Sequence, residues 1–290
     1  MQSFLQALYF PAWYFVLYSF LGWCLEVCFC TVVTGKWVNR GFLNGPVCPI
    51  YGFGMLVITA VLGPLQQNLL LLFVGGMVLT STLELITGFV LKQLFHTRWW
   101  DYSDQKFQLG GYICLKFSLA WGLVGTLAVR LLHPAVRRLV EALPRQAGIP
   151  LLVIILLVFV ADTIVTVNTI ARLNRDLGEM ARIMAKLHTA SDRIAENLGE
   201  NALSAQEKLN EGRAALAERR EELSDTAMAS RAELNARLDL LRADWKDHAR
   251  FGKARLLRAF PRMRSDRYAA TLEEVRSWLR ENLQSDPAEK

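Results

Sequence analysis

The chain has 290 residues, of which 52% are hydrophobic and 21% are charged. The two kinds of residue are segregated. Residues 1–169 hold 10 of the 33 Lys and Arg and 6 of the 27 Asp and Glu, whereas residues 170–290 hold the other 23 and 21. A soluble globular domain mixes apolar and charged residues along its length. The composition therefore excludes one uniform globular domain and predicts an apolar membrane half followed by a polar half.

The basic residues and the cysteines exclude further classes of protein. The net charge of +6 comes largely from residues that flank apolar stretches, so we expect no nucleic-acid partner. The five cysteines lie in or beside apolar segments and form no C-x-x-C pair, so we expect no disulfide framework, no metal and no cofactor. No Lys or Arg precedes Lys36, so the first apolar run lacks the basic region of a signal peptide and is expected to be retained.

Five apolar stretches are long enough to cross a membrane as helices, since a span needs about 20 residues and no fewer than about 17. They are residues 12–33, 47–63, 69–91, 111–132 and 149–167. The second is the shortest and contains Pro49, Gly52 and Gly54, so a kinked or partly re-entrant segment is an alternative there. The sequence predicts an all-α polytopic domain over residues 1–169, with about five transmembrane helices in the lipid bilayer.

Five spans place the two termini on opposite sides of the membrane. The side that carries the tail receives nine Lys and Arg in its short flanks, and the other side receives four. Because basic residues accumulate in cytoplasmic loops, this count predicts an N-terminus outside and a cytoplasmic tail. The basic stretch from Arg130 to Arg145 is the observation against this orientation.

The polar half, residues 170–290, is predicted to form a helical, coiled-coil-like tail. Its apolar residues recur at spacings of 3 and 4 from Ile170 to Leu187, which is typical of helices that pair along one seam. A long rod and a helical hairpin both fit this pattern. We expect self-association or a partner helix to use residues 170–250. The basic, amphipathic segment Arg250–Arg267 either lies on an anionic inner leaflet or caps the tail helices.

Four ionisable residues lie within the predicted spans, which is rare unless they face a bundle interior or a wet cavity. They are Glu26, Glu84, Lys116 and Asp162. Each lies roughly 7–11 Å inside the same membrane boundary at 1.5 Å per residue. One interpretation is a shared polar site in which Lys116 pairs with Glu26 or Glu84, and in which a protonated carboxylate or a cationic guest offsets the remaining negative charge. The other is a set of separate contacts between helices, with Lys116 reaching outward.

The two loops on the tail side form a second candidate site. Its members are Asn39, Arg40, Asn44, Arg98, Trp100, Asp101 and Tyr102. Arginines and loop amides in this pattern favour a lipid headgroup or phosphate site. The alternatives are tight turns at the Asn-Gly and Gly-Pro steps, and an aromatic interface belt formed by Trp99, Trp100 and Tyr102. We expect Arg40 and Asp101 to lie at the mouth of the intramembrane site.

The sequence contains no P-loop motif, no G-x-S-x-G and no H-E-x-x-H. The chain therefore carries no P-loop ATPase of its own, and no catalytic residue is assigned. We expect that the protein is not an enzyme.

Five segments resemble one family of bacterial membrane proteins, the ABC-transporter type IV or CmpB-like permeases. They are Gly22–Glu26, Val38–Gly54, Leu83–Gly88, Trp99–Asp104 and Trp121–Gly122. The resemblance covers about residues 12–167, and Arg255–Tyr268 also resembles the tail of this family. It implies a multi-pass permease subunit of the bacterial inner membrane that works with a separate ATPase.

Three functions follow as hypotheses. The first is a permease-like protein that uses the intramembrane polar site and docks a partner or a second copy through its tail. The second is a membrane-anchored coiled-coil scaffold, in which the tail is the functional part. The third is a membrane-embedded enzyme acting on lipid headgroups, with Glu26 or Glu84 as general base.

Overall fold

A computed structural model describes residues 2–35, 37–207, 232–241, 243 and 252–283 of the chain. Its helices are α1 (Gln2–Thr34), α2 (Pro49–Leu62), α3 (Leu69–Phe95), α4 (Leu115–Leu127), α5 (His133–Ala142), α6 (Arg145–Glu207), α7 (232–241), α8 (Lys253–Ala259) and α9 (Ala269–Leu283). A 3-10 turn, Gly63–Leu65, follows α2, and a π-helical segment, Ala128–Leu132, joins α4 to α5. Two antiparallel pairs of short strands complete the described elements: β1 (Thr97–Arg98) with β4 (Arg264–Ser265), and β2 (Gln108–Leu109) with β3 (Ile113–Cys114).

Four stretches of the described helices are long and apolar enough to cross a membrane. They are Leu8–Thr34, Leu69–Phe95, Leu115–Ala142 and Arg145–Thr189. They correspond to the first, third, fourth and fifth predicted spans, whereas the second corresponds to a shorter apolar helical stretch, Pro49–Leu65. The predicted fold class is confirmed: the chain is an all-α integral membrane protein.

The second apolar helix is short because it begins partway along α1. The backbone N–H of Cys48 donates to the carbonyl of Ser19 at 2.8 Å, so α2 starts beside the middle of α1 rather than at its end, Thr34. Those two α1 positions are about 22 Å apart along the helix at 1.5 Å per residue. The loop that enters α2 therefore runs back along α1 before the helix begins.

The membrane helices share one apolar core. Its buried members are Tyr9, Trp13, Val16, Tyr18, Met55, Ile58, Leu62, Leu72, Ala128, Val129, Val136, Val140 and Leu152. Other large apolar side chains of the same helices are exposed, among them Leu70, Leu131 and Leu157. In water such surfaces cause association, but in a bilayer the hydrocarbon tails cover them. The exposure pattern therefore suits a bundle surrounded by lipid.

Glycines let α1 and α2 pack at close range. A Cβ atom at Gly52 would lie 2.6 Å from the carbonyl oxygen of Phe15 and would overlap the Ser19 hydroxyl. On α1, Gly22 makes room for the ring of Tyr51 in the same way. Small residues allow helix backbones to approach in membranes, where van der Waals packing and hydrogen bonds stabilise association.

The chain divides into two compact units. The first comprises Met1–Ala171 and Arg250–Arg267, and the second comprises Arg172–Ala249 and Tyr268–Lys290. The first boundary lies close to the predicted one at residue 169. Residues 250–267, however, belong with the membrane helices instead of with the tail predicted over residues 170–290. The reason is that β4 pairs with β1, which directly follows α3.

In the described part of the segment predicted to be basic and amphipathic, residues 252–267, the helix covers Lys253–Ala259. Its apolar side chains, Leu256 and Leu257, are buried within the protein. They therefore cannot insert into a lipid leaflet, and the predicted membrane contact lacks these apolar side chains.

The second unit contains a helix pair in its described part. Along α6 the predicted apolar seam is buried at Leu173, Leu177 and Met180. The α7 helix returns beside α6, because Arg237 Nη2 lies 2.6 Å from Glu179 Oε1. The described part of the tail thus follows the hairpin alternative. Residues 208–231, which are part of the predicted tail, lie outside the described residues.

We predict that Gly52→Ala destabilises the purified protein by about 1–3 kcal/mol, the usual cost of overpacking. The added methyl group meets a backbone atom of α1, which moves only if the helix moves. Gly54→Ala is the matched control, since a Cβ atom there would lie 3.9 Å from Leu83 Cδ1, an ordinary contact. The measurement is the thermal unfolding midpoint in mild detergent. Equal midpoints for the two variants would contradict the close α1–α2 packing.

Candidate functional site

Two glutamates and two tyrosines from four segments form an acidic cluster inside the bundle. On α1, Glu26 accepts a hydrogen bond from the Tyr51 hydroxyl at 2.5 Å and forms an ion pair with Arg40 Nε at 3.2 Å. On α3, Glu84 accepts a hydrogen bond from the Tyr102 hydroxyl at 3.1 Å. The Glu26 carboxylate interacts electrostatically with Glu84 and with Tyr102. We call Glu26, Tyr51, Glu84 and Tyr102 the acidic cluster.

The second carboxylate oxygen of Glu84 has an unusual environment. Glu84 Oε2 is buried and has no hydrogen-bond partner among the described protein groups. A buried polar atom without a partner costs free energy, and the cost is larger for a charged group. This oxygen is therefore the position in the cluster where an added donor would stabilise most.

Aromatic rings of α4 pack against both tyrosines. Trp121 makes an edge-to-face contact with Tyr51 at a centroid distance of 5.7 Å, and Phe117 stacks on Tyr102 at 4.9 Å. Such contacts fix the ring orientations. The tyrosine hydroxyls are consequently held toward the two carboxylates, and the cluster has aromatic walls.

Lys116 is not part of this cluster. Its side chain is exposed, and its Nζ atom lies 5.8 Å from the centre of the Phe117 ring. Within the described part of the chain, no carboxylate forms an ion pair with it. The predicted pairing of Lys116 with Glu26 or Glu84 does not form, because Lys116 lies on an outward face of α4 and Arg40 from the first loop pairs with Glu26 instead. The exposed side chain fits the alternative in which Lys116 reaches outward.

Asp162 also lies apart from the acidic cluster, in a different contact. Its carboxylate accepts backbone N–H bonds from Asn44 at 3.1 Å and Gly45 at 2.7 Å, and a bond from the Asn44 side-chain amide at 2.9 Å. A carboxylate that accepts several N–H bonds is well satisfied. Asp162 therefore anchors the first loop to α6.

Asn39 fixes the shape of that loop from within. Its Oδ1 atom accepts bonds from Trp23 Nε1 at 2.7 Å and from the backbone N–H of Gly41 at 3.1 Å. Its Nδ2 atom donates to the carbonyl of Asn44 at 2.9 Å. The predicted loop residues Asn39, Arg40 and Asn44 are thus brought together, but their polar groups bind protein groups.

A buried arginine from α8 completes the first loop. Arg255 is 6% exposed, and it donates to the carbonyls of Gly41 at 2.8 Å and Phe42 at 3.1 Å. Burial lowers the pKa of Arg255 to about 10, and the charge of Asp162 acts in the opposite direction. The guanidinium therefore stays charged at neutral pH, and it binds the loop through charge-assisted hydrogen bonds.

The second loop is closed by Asp101. Its carboxylate accepts bonds from the backbone N–H of Ser103 at 2.9 Å and the Ser103 hydroxyl at 2.5 Å, and it pairs with Arg264 at 3.1 Å. Burial acts to raise the pKa of Asp101, but the bonds from Ser103 and Arg264 outweigh it and lower the pKa. Asp101 is consequently a structural anion that ties β4 to this loop.

The remaining predicted members of the loop site also bind protein groups. Arg98 donates to the carbonyl of Gly110 at 3.1 Å and lies over the Tyr112 ring at 5.2 Å. Trp100 Nε1 donates to the carbonyl of Tyr112 at 2.9 Å. Both arginines and the backbone amides of Gly41, Asn44 and Gly45 bind protein groups, which leaves fewer donors for a phosphate or lipid headgroup.

Trp99 does not belong to an aromatic interface belt. It is 3% exposed and packs between the rings of Phe42, Phe95 and Phe260. This residue joins the first loop, the end of α3 and the segment after α8. The belt was predicted because tryptophans near span ends usually face the interface, whereas here tertiary packing covers the ring.

Three residues that hold these contacts together were not assigned to either predicted site: Tyr51, Arg255 and Arg264. The segments Val38–Gly54 and Arg255–Tyr268, which resemble the family, contain all three. The basic segment Arg250–Arg267 also contains Arg255 and Arg264, but its pattern did not indicate that they bind the two loops. The described residues include no group of three or more His, Cys, Asp and Glu arranged to hold a metal ion.

We predict that Arg255→Met accelerates amide hydrogen exchange in residues 39–48 by about 5- to 150-fold. The substitution keeps the apolar stem but leaves two buried carbonyls unpaired, which costs about 1–3 kcal/mol. Arg262→Met is the matched control, because Arg262 is exposed in the segment that follows α8. Exchange is measured on the detergent-purified full chain. The same rate in both variants would contradict the role of Arg255 in holding the loop.

The acidic cluster and both loops lie within one region that is shared with a known family. The family model described as "Putative ABC-transporter type IV" matches residues 13–167, which is more than half of the chain. No curated protein and no solved structure matches the chain. The matched region contains Glu26, Tyr51, Glu84 and Tyr102, and it ends before Arg255. The chain is thus a member of this ABC-transporter type IV family.

Proposed function

We propose that the protein is a permease-like transporter subunit that works with a separate ATPase, and that its acidic cluster binds a cationic solute carrying N–H donors. Membership of the family supports the first part, because the family is described as ABC-transporter-related. The observation that carries the second part is the buried, unpartnered Oε2 atom of Glu84.

The charges of the cluster favour a cation over an anion. Two carboxylates, Glu26 and Glu84, face one paired cation, Arg40. Both oxygens of Glu26 are occupied, by Tyr51 and Arg40, whereas only one oxygen of Glu84 is. An ammonium group could donate to the other oxygen and lie against aromatic rings, which attract cations.

The sequence supports the proposal of a separate ATPase. Transport by an ABC-type system needs ATP hydrolysis, and the full chain has no P-loop motif. The proposed location is the bacterial inner membrane, with the N-terminus outside and the tail in the cytoplasm. The excess of basic residues on the tail side supports this orientation.

A scaffold is the second candidate, because the second unit has buried residues of its own on α6 and α9, such as Leu177 and Leu272. In that role the α6–α7 pair would bind a partner helix or a second copy of the chain, with the membrane unit as an anchor. We do not propose an enzyme, because Glu26, one candidate general base, is engaged by Tyr51 and Arg40.

We predict that Glu84→Gln weakens binding of organic amines by at least about tenfold, since one charge-assisted hydrogen bond contributes about 1.5–3 kcal/mol. Binding is measured by isothermal titration of the detergent-purified full chain with spermidine and putrescine, both of which carry N–H donors. Glu141→Gln is the control, because Glu141 is an exposed carboxylate of α5 that pairs with Arg137. Absence of saturable amine binding, or equal affinity in the two variants, would contradict the proposed cation site.

A second prediction separates the transporter from the scaffold. Full-length protein isolated from its native membrane in mild detergent should co-purify with a P-loop ATPase, identified by mass spectrometry. A transporter subunit depends on that partner for energy, whereas a scaffold does not. Recovery of self-associated chain alone, or of partners without an ATPase, would support the scaffold and count against the transporter.

A further inference from the structure

The second unit contains a concave groove that is independent of the acidic cluster. It has a volume of about 550 Å³ and is formed by one face of α6, by α7 and by Tyr268. Volumes in this range are typical of sites for small organic ligands. The groove lies wholly within the second unit.

The charged side chains that line this groove are strongly unbalanced. Four are cationic, Arg175, Arg182, Lys186 and Arg237, and one is acidic, Glu179. We call the groove lined by these residues the cationic groove. The three α6 cations are spaced by seven and four residues, so they lie on one face of the helix. Like charges on one helix face destabilise it, so the arrangement calls for a compensating anion.

Glu179 is the one acidic residue of this lining, and it pairs with Arg237 across the groove. Its Oε1 atom lies 2.6 Å from Arg237 Nη2 and also accepts a bond from Arg237 Nε at 2.8 Å. This pairing holds α7 against α6. It leaves Arg175, Arg182 and Lys186 exposed along the groove.

The groove also has an apolar side. Ile183 is buried and Leu234 is half-buried in its lining. Tyr268 approaches the α6 backbone at Gly178, where a Cβ atom would lie 2.9 Å from the tyrosine hydroxyl. Glycine in a helix interior lowers helix stability relative to alanine. Here it is the residue that lets Tyr268 form a wall of the groove.

We propose that the cationic groove binds a ligand with several phosphate charges and an organic portion, which is the chemistry of a nucleoside polyphosphate or of a phosphomonoester lipid headgroup. Arginine guanidinium groups bind phosphate oxygens through paired hydrogen bonds, and lysine adds a point charge. Tyr268, Ile183 and Leu234 provide a surface for the organic portion. In this proposal the ligand is bound as a regulator.

The test uses the detergent-purified full chain and three probes: ATP, inorganic tripolyphosphate, and phosphatidylcholine vesicles with or without phosphatidic acid. Affinity for each probe is measured by thermophoresis or co-flotation for the wild type, Arg182→Gln and Lys186→Gln. Arg172→Gln is the matched control, because Arg172 is an exposed arginine of α6 outside the groove. Each groove variant should bind about tenfold more weakly, the effect of losing one charge-assisted hydrogen bond.

The probes identify the source of the phosphate. Preference for ATP over tripolyphosphate would support a soluble nucleotide-like ligand that uses the apolar side. Binding confined to vesicles with phosphatidic acid would support a lipid headgroup. Equal losses in Arg172→Gln and the groove variants, or no binding to any probe, would overturn the proposal, since only general surface charge would remain. Circular dichroism of each variant verifies that α6 remains helical.

Discussion

The first loop, residues 37–48, is held between the half-buried carboxylate of Asp162 and the buried guanidinium of Arg255, and the membrane unit depends on this arrangement. A loop has backbone donors and acceptors that no helix satisfies, so its burial among membrane helices is costly. Asp162 accepts from the loop N–H groups of Asn44 and Gly45. Arg255 donates to the loop carbonyls of Gly41 and Phe42. The two side chains thereby offset the cost of a non-helical segment at this depth, and the cost of burying each charge is offset by the loop dipoles.

The position of the loop determines the position of the acidic cluster. Because the loop returns along α1, α2 begins beside Ser19, and Tyr51 in its first turn reaches Glu26. Arg40, in the same loop, pairs with the other Glu26 oxygen. Glu84 instead accepts a hydrogen bond from the hydroxyl of Tyr102, which lies in the second loop. The two glutamates are therefore satisfied to different extents, and Glu84 keeps one buried oxygen without a partner among the described residues.

Sequence periodicity and composition predicted the helices well, but they predicted the contacts between distant segments poorly. The predicted membrane half and four of its spans correspond to long apolar helices. The reason is that the hydropathy of a stretch of about 20 residues indicates whether lipid or water surrounds it. The shared depth of Glu26 and Glu84 also indicated that these two residues belong to one site. Lys116 lies at a similar depth and faces away, since depth along a helix does not specify the direction in which a side chain points. Asp162 lies at that depth too, but it binds a loop whose path no local pattern encodes.

By itself the sequence determined the class of protein, the helical stretches that interact with lipid and the candidate residues that carry charge inside the membrane. Only the tertiary structure decided the partners of those charges. It joined residues 250–267 to the membrane helices through Arg255 and the β1–β4 pair, although about 80 residues of polar sequence separate them from the last span. Local patterns report on hydrogen bonding and burial within a few turns. Contacts between distant segments depend on how the whole chain satisfies its buried polar groups, and that is decided only when the chain is folded.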